Sequence, residues 1–226
     1  MTITHDTLFK ALDSVQSVNG GRHRYPGVGR WTKHLDGTLE PCVYGYHLAR
    51  GRQLLGWLGP TIYEAEACPD HDTVDGGDKW VTCRVRLVRK LNWDDRVARL
   101  FAADCAEAAL LGERASGREP DGRSWAAVTA ARGYANGEIS DRERAAAWDA
   151  AGDAARDAAW AASRAASGAA SGAAAGAAAG AAARDAAWDA AGNAARAAAR
   201  DAQYNRLCLY LEGADLPPVQ PLYGAT

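Results

Sequence analysis

The chain has 226 residues, with 26 basic and 28 acidic side chains, a formal net charge of -2 and a pI near 6.2. No basic excess points to nucleic acid and no acidic excess to a solvating tail, so a nucleic-acid partner is not expected. Hydrophobic residues make up 48%, but alanine supplies much of that and buries little area, leaving the eight Trp and eight Tyr as the large contact surfaces.

Three regions separate by composition. Residues 1–92 mix Gly, Pro, aromatic and β-branched residues, and Asp6 to Val18 opens them as a predicted short helix, with Leu8, Leu12 and Val15 on one face. A Gly-rich basic loop, Asn19 to Arg30, follows. Pro41 to Leu48 is read as a strand. Arg52 to Leu58 is read as a short helix stopped by Gly59-Pro60, because proline disfavours helix in the residue before it. Thr61 to Ala67 is a further strand. From Trp80 to Leu91, Val81, Cys83, Val85 and Leu87 alternate with Thr82, Arg84, Arg86 and Val88. That period of two predicts one long strand with Arg84 and Arg86 on its open face.

From residue 93 the pattern turns helical. Asn92 is the expected N-cap of a helix running to about Leu111, with Asp94 and Asp95 favouring its dipole. A second helix should span about Arg123 to Ala135 and end at Asn136-Gly137. Ser140 and Glu143 form a capping box that opens the alanine-rich tract. From Trp148 to Arg200 every fourth residue is Trp, Gly or Arg. Each four-residue step turns 400°, so this stripe drifts about 40° per step around the helix. A single helix from Ser140 to Leu211 would be about 108 Å long. The tract is therefore read as two antiparallel helices turning near 167–172. The competing arrangement keeps one straight rod and uses Gly172, Gly176 and Gly180 as a close-contact face. Its charge-free window, Ala165 to Ala183, holds only Ala, Gly and Ser between charged flanks, and no membrane association is expected.

The architecture expected is α+β: a small N-terminal mixed α/β module with a short antiparallel sheet (1–92), then an alanine-rich all-helical region (93–211), then an extended tail (212–226). The N-terminus shows no signal pattern, so the cytoplasm is the expected compartment and the five cysteines are read as free thiols.

Four constellations bear on chemistry. Cys42, His47, Cys68 and His71 have zinc-ligand types but only loose spacing; two unrelated thiols and two histidines are the plainer reading, and neither metal nor cofactor is expected. His47 with Glu64 and Glu66 faintly resembles the ADP-ribosyltransferase pattern without that family's Ser-Thr-Ser element; a solvent-facing Glu pair is the plainer reading. Arg24, Arg30, Arg84 and Arg86, with His47 and Trp57, form a candidate anion pocket, since guanidinium forks match phosphate and carboxylate oxygens; a solvated basic face balanced by Asp70, Asp72, Asp75 and Asp78 is the plainer reading. Trp148, Trp160 and Trp188, with Gly172, Gly176 and Gly180, are candidate interface residues through which self-association is expected; core packing is the plainer reading of the tryptophans.

From Ala98 onward the sequence resembles the alanine-rich immunity proteins of bacterial polymorphic toxin systems. Arg99 to Glu107, Pro120 to Ser124, Ala131 to Glu138 and the alanine repeats carry the resemblance over roughly 98–211. The first 90 residues resemble a module of phage and actinobacterial proteins through Tyr44-Gly45-Tyr46-His47-Leu48, Trp57 to Pro60 and Ile62 to Glu66. That module carries no function with it; the expectation is a non-catalytic binding protein of immunity or counter-defence type, which covers a protein partner or sequesters an anionic small molecule. A structural protein, such as a virion component assembling through its helices, is the alternative, and an ADP-ribosyltransferase-like enzyme the second. The compartment would be the host cytoplasm for a phage-encoded binder and the virion for a structural part.

Overall fold

A computed structural model describes residues 2–17, 23–69, 73–153 and 197–222. Its fold is mixed α+β, and the chain divides into two compact units, Met1–Ala98 with Tyr204–Leu216, and Arg99–Gln203 with Pro217–Thr226. The last helical turns thus belong with the N-terminal unit, where the sequence placed a boundary at residue 92.

The described residues of the first unit hold seven strands in one antiparallel sheet: β1 (Leu8–Asp13), β2 (Gln16–Ser17), β3 (Tyr46–Arg50), β4 (Thr61–Ala67), β5 (Thr73–Asp75), β6 (Trp80–Thr82) and β7 (Val85–Lys90). The pairing order is β5-β6-β3-β1-β4-β7, with β2 added to β1. The predicted helix over 6–18 is instead the β1–β2 hairpin, turned at Ser14 with φ 60°. Helical spacing misled because β1 lies between β3 and β4, so Phe9, Lys10, Ala11 and Leu12 are all buried and the alternation is hidden.

Pro41 to Leu48 is not one strand either. Glu40 and Tyr44 close a tight turn, and pairing starts only at Tyr46. The predicted strand over 80–91 is broken at Cys83–Arg84: β6 pairs with β3, whereas β7 pairs with β4. In a flat sheet the path from β6 to β7 would span about 19 Å at ~4.8 Å per strand. Three residue steps reach at most about 11 Å. The sheet therefore curves enough to bring the end of β6 near the start of β7. Leu12, Leu48, Ala65, Val85 and Leu87, drawn from β1, β3, β4 and β7, accordingly share one buried cluster with Tyr25 and Tyr46.

The outer edge of β7 is covered by residues 29–35. Gly29 N–H donates to Leu87 (2.8 Å), Thr32 N–H to Val85 (2.8 Å) and Leu35 N–H to Cys83 (3.0 Å). Val85 N–H returns a bond to Thr32 Oγ1 at 2.9 Å. A 3-10 turn, Gly51–Gly56, replaces the expected short helix after β3. Residues 204–212 are helical and close the unit: Tyr204, Leu207, Tyr210 and Leu211 are buried, and the Tyr204 hydroxyl donates to Thr4 C=O at 2.7 Å. Asn92, expected as an N-cap, instead donates from its side chain to Tyr210 C=O (2.9 Å) and from its backbone to Leu211 C=O (3.0 Å).

Helix α1 (Asp95–Ala115) is capped by Asp94, whose carboxylate accepts from Val97 N–H at 2.8 Å. In the second unit, α2 (Gly122–Ala135) is capped by Asp121, and Asn136-Gly137 ends it as expected. Arg132 of α2 reaches back to α1, bonding Asp104 at 2.6 Å and also Glu107. Arg114 lies 4.6 Å over the Trp125 ring. The Ser140–Glu143 capping box is formed and opens a helix over 141–153. Most of the alanine-rich tract, including the hairpin-or-rod question, lies outside the described residues. Among the described residues no helix is long and apolar enough to cross a membrane.

Candidate functional site

The first unit contains a cavity of about 520 Å³, floored by β1 and β3 and bordered by the 40–44 turn, the 3-10 turn and Lys79. Ligand sites span roughly 300–1,000 Å³, so this one has room for a small molecule. No acidic side chain is among its lining residues, whereas Lys10, Lys79, His23 and His47 are.

Lys10 is put there by strand parity. It shares a face of β1 with Leu8 and Leu12, which pack in the buried cluster, so a period of two directs it inward with them. It is 5% exposed. Its Nζ donates to Ser17 Oγ at 3.0 Å and to His47 C=O at 2.9 Å, and lies 4.9 Å from the Tyr25 ring centre. Burial, with no carboxylate to offset it, lowers its pKa to about 8. Burial likewise pushes the Tyr25 phenol far up, so it stays protonated.

Lys79 approaches from the far side. Its Nζ lies 3.1 Å from Cys42 Sγ, 3.4 Å from Asp78 and 4.5 Å over the Trp57 ring, a face that attracts cations. The bond to Cys42 is the main reason its pKa is raised. Cys42 sits at the tip of the 40–44 turn with φ 66°, a left-handed conformation that costs a non-glycine residue about 1 kcal/mol. Its N–H donates to His47 Nε2 at 2.9 Å. His47 is held neutral, first by burial and then by repulsion from Lys10 and Lys79. The two lysines therefore border one space; Asp78 partners Lys79 from outside the lining, and no carboxylate offsets the burial of Lys10. Gly45 lets the 40–44 turn lie against β6: its φ is +131°, and a Cβ there would fall 2.2 Å from Val81 Cγ1.

Of the six predicted ligand residues, the structure brings only His47 and Trp57 to this cavity. Arg86 bonds Glu66 and lies 5.0 Å over Trp31; Arg84 lies 5.4 Å over the same ring and donates to Thr32 C=O at 3.2 Å. Arg24 forms a bridge with Gln16, and Arg30 is exposed. The face expected to be open is half-exposed, and the Trp31 ring from the segment that covers the β7 edge packs on both arginines, which sequence spacing could not show. Glu64, 4% exposed, binds Arg89 at 2.6 Å, and neither glutamate lines the cavity with His47. The transferase-like constellation is thus not assembled.

Among the candidate zinc ligands, Cys42 lies beside His47, Cys68 is buried near Cys83, and His71 lies outside the described residues. Among the described residues no three His, Cys, Asp or Glu side chains gather as a metal site. Trp148 is 70% exposed, whereas Trp160, Trp188, Gly172, Gly176 and Gly180 lie outside the described residues.

Lys10, Lys79 and Tyr25 were not singled out from the sequence. One signal was present: of the 26 basic residues only four are lysine (Lys10, Lys33, Lys79, Lys90), and two of those four line the cavity. Comparison with family models, curated proteins and solved structures finds no match.

Proposed function

We propose that the N-terminal unit binds a small anionic molecule bearing a planar ring, and that sequestering it is the role of a counter-defence or immunity-type binding protein. The carrying observation is the pair of lysines facing a cavity without an acidic residue. An anion there would offset the repulsion between Lys10 and Lys79, a gain unavailable in the empty state. Tyr25 and Trp57 add aromatic walls to the space, and the volume suits one mononucleotide-sized ligand.

Adenosine 5′-monophosphate, adenosine and inorganic phosphate are the probes for calorimetry. The monophosphate is expected to bind, more weakly as salt rises, while adenosine alone does not. Lys79→Ala should weaken binding about tenfold or more, the loss of one desolvated charge contact. Binding raises the pKa of Lys10 from about 8, so protons are taken up near pH 8 and affinity falls as pH rises through that value. Equal binding of adenosine and its monophosphate, with no dependence on salt, would reject the anion site.

A second reading, assembly through the alanine-rich region as a helical structural element, is favoured by Trp148, whose ring is 70% exposed. Light scattering after size exclusion tests it: assembly predicts a multimer that Trp148→Ala shifts toward monomer, whereas a monomeric parent ends that reading.

A further inference from the structure

Burying a lysine on the inner face of a curved sheet without a carboxylate partner is unfavourable, and an apolar residue would fit the strand pattern better. In a chain that uses arginine for 22 of its 26 basic residues, lysine at this place also calls for a chemical reason. Guanidinium does not lose its proton in proteins, whereas a buried lysine amine does, and only the neutral amine is a nucleophile.

The contacts around Lys10 suit both protonation states. A neutral amine has two N–H groups and one lone pair. Ser17 Oγ and the His47 carbonyl, at 3.0 and 2.9 Å, accept two N–H groups and leave the nitrogen lone pair unused. The Tyr25 ring face holds the third N–H when the group is charged. With a pKa of about 8, roughly one molecule in ten carries the neutral amine at pH 7. The cavity supplies room at the amine, and Lys79 supplies a positive charge on its far side.

We propose that Lys10 is a carbonyl-capturing residue that forms a reversible imine with a small anionic aldehyde or 2-oxo acid held in this cavity. The nitrogen lone pair adds to the carbonyl carbon while the C=O π pair moves to oxygen, which takes one amine proton. The resulting carbinolamine loses its hydroxyl group together with the remaining N–H proton as water, leaving C=N. Water reverses both steps, and no oxidant or reductant is needed. The proposal rests on the anion-site reading and gives that ligand its chemical class.

Pyridoxal 5′-phosphate is a probe with an aldehyde, a ring and an anion; pyridoxine 5′-phosphate keeps the ring and anion but has an alcohol in place of the aldehyde. The full-length protein is incubated with the aldehyde, reduced with sodium borohydride and mapped by peptide mass. One adduct per chain on Lys10 is expected, competed away by pyridoxine 5′-phosphate. Lys10→Met should lose the adduct while keeping the parent's circular dichroism spectrum, and Lys33→Met should keep it. Adduct on Lys33, Lys79 or Lys90 in place of Lys10 would overturn the proposal. Binding of pyridoxine 5′-phosphate without any adduct on Lys10 would also overturn it while leaving the anion site standing. Adduct on Lys10 with no competition by pyridoxine 5′-phosphate would support the amine chemistry and reject the anion site.

Discussion

Lys10 is where the physical chemistry of single residues is most out of balance. Its folded pKa of about 8 lies below the ordinary 10.5, so between those values the unfolded chain holds more protons and stability rises with pH. Below pH 8 both states are charged and the burial penalty is fully present, about 3 kcal/mol before its hydrogen bonds are counted. Those two bonds return about 1 kcal/mol each. Lys10→Met should therefore stabilise the protein by about 1 kcal/mol at pH 7 and destabilise it near pH 10. Urea unfolding at the two pH values checks the change of sign; a constant difference would mean Lys10 is not desolvated. Gly45 sets a second residue-scale constraint. Gly45→Ala should cost about 2 kcal/mol or more, because a Cβ meets Val81 and the backbone lies where L-residues are strained. A melting temperature within a degree or so of the parent's would contradict the close approach.

Among the elements, sequence patterning succeeded where an element is ordinary and failed where pairing decides. Thr61–Ala67 was read as a strand at its observed bounds, and α2 was read to within one residue, since cap chemistry is local. β1 failed because a central strand buries both faces, and the 80–91 segment failed because its two halves pair with different partners. The switch at Cys83–Arg84 depends on Thr32, 3% exposed, whose hydroxyl accepts from Val85 N–H. Thr32→Val should cost about 1–2 kcal/mol by leaving that buried N–H without its acceptor, and thermal unfolding reads it directly. In the second unit, Arg132→Met should cost about 2 kcal/mol, as Asp104, 4% exposed, loses its Arg132 partner. The stretches from which the sequence reading expected an immunity-type family contain Asp104, Glu107, Asp121 and Arg132. Here they tie α1 to α2 or cap α2, so packing alone accounts for them.

The whole molecule is organised by a return of the chain that composition concealed. Tyr204, Leu207, Tyr210 and Leu211 lie at the end of the alanine-rich tract, yet they complete the core of the N-terminal unit. Burying four such side chains is worth on the order of 6–10 kcal/mol, comparable with the whole stability of a domain. A fragment ending at Ala98 should therefore lack a cooperative urea transition, and a peptide spanning 199–216 should restore it. A fragment that unfolds cooperatively by itself would show that the helix is dispensable.

By itself the sequence determined the mixed α+β class, the Ser140–Glu143 capping box, the stop of α2 at Asn136-Gly137 and the helical segments flanking the alanine repeats, because each local feature depends on neighbours within a few residues. It also fixed the scarcity of lysine, without saying what that scarcity was for. The tertiary structure alone decided that the 80–90 segment bends so that its halves pair with different strands, that the arginines are held by Trp31 and Glu66, and that two lysines 69 positions apart in the sequence face one cavity. The physical reason is that burial and counter-charge depend on which strands pair, and pairing joins residues far apart along the chain.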